Sequence, residues 1–230
     1  MALATAVGHA TSTKTARQSV TEKFARLPKG EKLPTAVEPG KPQFGAIKEQ
    51  TVQSIIPQAR PQACLAYAAP APSSDLYSPF LLLVTRLFAQ AQKQAAGPAD
   101  FPVNFALLDD PAVLSVNFPI RRGESAQQAR QRLETFVKEI VDQKLGEKEC
   151  NSVRETFGFF LGTDDVPDRA LAQNPYGVAF SLGRRIQLSI DSAKLRKSLE
   201  AVTDKDLRRA AAEVFGPDRY AAAFVSIKEK

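Results

Sequence analysis

Histidine occurs once in these 230 residues, as His9, and cysteine twice, as Cys64 and Cys150. Zinc takes most of its ligands from these two residue types, and a serine or cysteine nucleophile usually needs an imidazole beside it. Both chemistries are therefore nearly out of reach for this chain alone. Two cysteines this far apart make neither a metal cluster nor a disulfide framework, and they leave the redox compartment open. Long apolar runs are missing too. The bulkiest apolar stretch, Phe80 to Val84 with Leu87 and Phe88 following, is interrupted by Arg86, and it is shorter than the roughly 18 residues that a bilayer span needs. It reads as a buried helix of a globular domain. Neither a Gly-x-Gly-x-x-Gly nor a P-loop occurs, so nothing in the sequence argues for a nucleotide cofactor.

What is present is an ordinary globular composition, 43% hydrophobic and 24% charged, with a net charge of +6. Lysine and arginine are scattered among acids. The pairs Arg121-Arg122, Arg184-Arg185 and Arg208-Arg209 read as solvated faces rather than as a polyanion-binding stripe, and no nucleic-acid partner is expected. Asp109-Asp110 and Asp164-Asp165 sit just before a proline or a valine-proline step, where turn chemistry explains them better than a bound cation.

Residues 1–20 are rich in Ala, Thr and Ser and hold no acid before Glu22, a composition shared with transit peptides. A folded reading fits better: Leu3 to Val7 as a strand, then a helix capped at Thr11 to Thr13, with Ala16, Val20, Phe24 and Leu27 on one side. Between Pro28 and Gln43, four prolines and two glycines mark a linker. The longer unit, 44–230, begins with Ile47, Val52, Ile55 and Ile56 and then a strand at Ala63 to Tyr67, before the loop Pro70 to Pro72. Ser73 to Asp75 leads into a helix with Pro79 in its first turn and Leu81 to Phe88 buried. Phe101 to Phe105 and Ala112 to Ile120 read as strands, the second setting Leu114, Val116 and Phe118 against Val113, Ser115 and Asn117, with both faces partly covered. A helix from Ser125 carries an apolar face from Ala129 to Leu145 and is closed by Gly146. Two more helices are expected at Glu147 to Phe160 and Asp168 to Leu182. A capping box at Thr203 and Asp206 starts another, which Gly216-Pro217 stops, and Tyr220 to Ile227 is a final strand. This order favours an α+β fold, one sheet covered by helices on one face, over an alternating parallel α/β fold.

The ordered set of segments resembles the insulinase (pitrilysin) and mitochondrial processing peptidase family of zinc peptidases over nearly the whole chain. Val7 to His9, a helix, and Phe24 to Gly30 are similar to the end of one domain in that family. Pro61 to Pro72, Asp75 and the helix after it are similar to the opening of the next. Leu114 to Ile120, the Ser125 helix, Gln173 to Tyr176, Val202 to Leu207 and Phe215 to Asp218 continue the order. The resemblance implies a clamshell of related domains, one of which holds zinc on an inverted His-x-x-Glu-His motif and a distant glutamate, with the motif's glutamate as base. No such motif is present here. The helix at 79–95, in the place of the motif-bearing helix, is apolar where ligands would sit, and His9 falls on a turn.

The family's partner domain also supplies an arginine and a tyrosine across the cleft, in a stretch after the first helix. Here Ala89 to Phe105 contains Lys93 but neither of those, which leaves Phe101, Asn104 and Phe105 as candidate cleft residues, with core packing the competing role for the two aromatics. The expectation is a non-catalytic C-terminal domain, 44–230, preceded by a linker at 28–43 and the strand-helix tail of another domain at 1–27. It would form a wall of the peptide-binding clamshell, with no metal of its own. Zinc belongs to a catalytic partner domain or subunit, and peptide is the other partner. The alternative is a stand-alone scaffold that kept the fold and lost proteolysis. A bacterial periplasmic or envelope setting is the favoured location.

Overall fold

The structure, a computed structural model, describes residues 49–54, 60–94, 102–105, 112–144, 146 and 175–227, together with residues 18, 22 and 153. The element order is β1 (Glu49–Ser54), β2 (Gln62–Ala68), α1 (Tyr77–Gln94), β3 (Val103–Phe105), β4 (Val113–Pro119), α2 (Ala126–Val141), α3 (Pro175–Gln187), α4 (Ser192–Glu200), α5 (Asp204–Phe215) and β5 (Tyr220–Ile227). The N-terminal strand, the linker and most of the helix at 147–160 lie outside the described residues. Gln18 and Glu22 are helical and share a hydrogen bond of 2.9 Å, and Val153 is helical and buried.

The strands form one sheet in the order β1-β5-β2-β4-β3, with β1 parallel to β5 and every other pair antiparallel. In register, Leu65 lies between Val116 and Ala222, and Tyr67 between Leu114 and Tyr220. Side chains alternate along a strand, so one face carries Ala63, Leu65, Tyr67, Leu114, Val116, Phe118, Tyr220, Ala222 and Phe224, all buried. The opposite face carries small, partly exposed residues such as Cys64, Ala66, Ser115 and Asn117. The helices cover the first face, which gives the α+β architecture expected from the sequence.

α1 is enclosed on all sides over its first three turns and occupies the centre of the helical layer, packed against α2, α4, α5 and β3. Every residue from Tyr77 to Leu87 is buried, as a helix without a polar face must be. Its buried serine, threonine and arginine are each satisfied, Ser78 Oγ by donating to Ser198 Oγ at 2.8 Å. Thr85 Oγ1 donates to the Leu81 carbonyl at 2.7 Å, and Arg86 donates through Nη1 and Nη2 to the carbonyls of Gln143 and Lys144, both at 2.8 Å. Rings extend the packing outward: Phe80 meets Phe105 and Phe215 at 5.3 and 6.0 Å, and Tyr67 meets Phe215 and Tyr220 at 5.0 and 5.8 Å. Each such pair adds about 1 kcal/mol beyond the area it buries.

Helix ends follow their caps. Ser125 and Gln128 form a reciprocal capping box on α2, and Thr203 and Asp206 form one on α5. At Gly216 a Cβ would stand 2.7 Å from the Ala212 carbonyl oxygen, so only glycine closes α5 there. Gly146, by contrast, does not end α2. The helix stops at Val141 with Asp142 as its cap, and the Gln143 and Lys144 carbonyls turn to the Arg86 guanidinium instead. α3 runs on to Gln187, beyond the expected end at Leu182, and stops before Ser189, which is left-handed at φ 54°. α4 was not anticipated: its buried face is only Leu195 and Leu199, and Asp191 caps it by accepting from Ala193 and Lys194 N–H at 3.0 Å each.

The turn from β4 into α2 passes through Gly123 at φ 80° and is held by Glu124. Arg132 grips both of its carboxylate oxygens at 2.9 Å, and Arg121 N–H donates at 2.7 Å. The Arg132 hydrogen bonds, then those from Arg121, hold the Glu124 carboxyl at about 2, below its ordinary 4.5. A depressed carboxylate stabilises the fold fully above its ordinary value and loses that contribution as pH falls toward 2. Glu124→Gln is therefore expected to cost about 1 kcal/mol near neutral pH, with the gap to the parent closing by pH ~2, as followed by urea unfolding across pH. A second test concerns Tyr77, whose buried hydroxyl has no hydrogen-bond partner among the described residues. Tyr77→Phe removes that burden and should raise the unfolding free energy by about 1 kcal/mol; a loss of that size would show that the hydroxyl is engaged.

Candidate functional site

Zinc needs nitrogen, sulfur or carboxylate ligands around an accessible point. α1, where the resemblance places the zinc motif in a catalytic domain as an expectation, presents Leu81, Leu82, Leu83 and Val84 to the core, all buried. The residues present on it do not fit the metal. Among the described residues no group of three His, Cys, Asp or Glu side chains is arranged to hold an ion. Burial pushes the Cys64 thiol up to about 11, which keeps it protonated and unreactive. Of the nominated cleft residues, Phe105 is buried against Phe80. Asn104 is exposed on β3, in register with Ser115, while Phe101 and His9 lie outside the described residues. No described helix is long and apolar enough to cross a membrane.

A cleft of about 840 Å³ opens between α2, α5 and the start of β5. Its polar groups are turned on one another. Arg130 Nε donates to Glu134 at 2.8 Å and to the Tyr220 hydroxyl at 3.1 Å, Arg130 Nη2 donates to the same hydroxyl at 2.8 Å, and Tyr220 in turn donates to Glu134. The guanidinium also lies 5.5 Å from the centre of the Tyr220 ring. Burial first, and then Glu134, raise the Tyr220 hydroxyl above its usual range. These three groups fasten α2 to β5, and their hydrogen-bonding capacity is spent on the fold. Tyr220→Phe is expected to lower stability by about 1 to 2 kcal/mol, read by thermal unfolding.

α3 offers the opposite situation. Its 13 residues, PYGVAFSLGRRIQ, are apolar on more than one side. Val178 and Ser181 face inward, and the Ser181 hydroxyl donates to the Gly177 carbonyl at 2.8 Å. Tyr176, Phe180 and Ile186 face outward, 80%, 53% and 61% exposed. Large apolar side chains grouped on one exposed helix mark a contact surface more often than chance exposure does. Tyr176, Phe180 and Arg184 are spaced by four and so stand side by side. The Arg184 guanidinium is steadied by a 3.0 Å hydrogen bond to Gln187 Oε1. Sequence reasoning noted the segment Gln173 to Tyr176 but not this face. The available signal was the presence of Tyr176 and Phe180 opposite Val178 on a helix too short to bury both sets.

No protein-family model matches the chain, and no curated protein sequence does. Solved structures do. A protease from Helicobacter pylori superposes with a TM-score of 0.65 at 13% identity, over 96% of this chain and 53% of that one. The peptidase M16 inactive domain from Pseudomonas fluorescens gives 0.58 at 14% identity, over 95% and 52%. An inactive peptidase domain from Bordetella parapertussis gives 0.51 at 17% identity, over 76% of this chain and 96% of that one. The chain therefore has the fold of the M16, insulinase-like peptidases, inactive domains among them, as the resemblance in its sequence implies. It spans about half the length of the Helicobacter and Pseudomonas chains.

Proposed function

We propose that residues 44–230 are a non-catalytic M16-like domain that forms one wall of a peptide-binding clamshell, with residues 28–43 as a linker and 1–27 as the tail of a preceding domain. Zinc and the water-activating base belong to a catalytic partner domain or subunit, and this wall contributes shape and apolar contact. The observation that carries the reading is the outward face of α3, where Tyr176, Phe180 and Ile186 remain exposed on an otherwise well-packed fold. The buried, ligand-free α1 supports the non-catalytic half of the proposal. A chamber wall needs a mostly apolar surface with a few polar groups to orient an extended chain, and α3 with Arg184 meets that description. Asn104, exposed at the sheet edge, is carried as a further contact.

The test is binding of fluorescently labelled unstructured peptides to the chain. Replacing Phe180 with serine should weaken binding about tenfold, the loss of roughly 1.4 kcal/mol of aromatic contact, and leave the melting temperature unchanged. A folded chain whose peptide affinity ignores Tyr176, Phe180 and Ile186 would remove this face from the proposal and favour a scaffold that binds only folded partners.

A further inference from the structure

We draw no further inference here: the strongest candidate, the cleft between α2, α5 and the start of β5, carries nothing because Arg130, Glu134 and Tyr220 are bonded to one another and the charged residues around them are of both signs, so that no ligand chemistry is singled out.

Discussion

The burial of α1 is the constraint on which the rest of the structure depends. A helix that is mainly apolar on every side can only be stable when surrounded, and every residue of α1 from Tyr77 to Leu87 is buried. The sheet supplies one side of the enclosure, and α2, α4 and α5 supply others. The same packing leaves nothing on this part of α1 to hold a metal, since Leu81 to Val84 face the core and carry no ligand atoms.

Charges follow the same logic. Arg86 satisfies the carbonyls after α2, Arg132 holds Glu124 at the turn before it, Arg130 joins Glu134 to Tyr220, and Arg209 bridges Asp75 and Glu213 on the surface. Each guanidinium ties together elements far apart in sequence or locks the entry to a helix. A chain with a net charge of +6 thus spends much of its arginine on fastening, which is why the basic residues form no continuous stripe. α3 stands apart, because its outward rings and Arg184 do little for the core around α1.

Local signals made much of this legible in the sequence. Thr203 with Asp206 and Gly216 with Pro217 bracket α5 closely, and Ser125 marks the start of α2, because caps and stops act within a few residues. The alternation from Val113 to Phe118 shows which side chains of β4 face the core. The pairing of β1 with β5 joins segments at opposite ends of the described chain and has no local signature. α4 escapes because two leucines four apart in nine residues are too faint a stripe, and the true end of α2 at Asp142 escapes because the segment after it is held by Arg86, more than fifty residues away. The α3 face was hidden for a different reason. Periodicity identifies apolar faces, but only the three-dimensional packing shows which face is left uncovered.

The most direct measurement is the fate of a bound peptide. The purified chain, saturated with zinc and then freed of excess metal, would be incubated with a peptide it binds, and peptide integrity and metal content read by mass spectrometry. The expected result is an intact peptide and far less than one zinc per chain. A cleaved peptide together with one tightly held zinc per chain would contradict the assignment of this fold to a non-catalytic role.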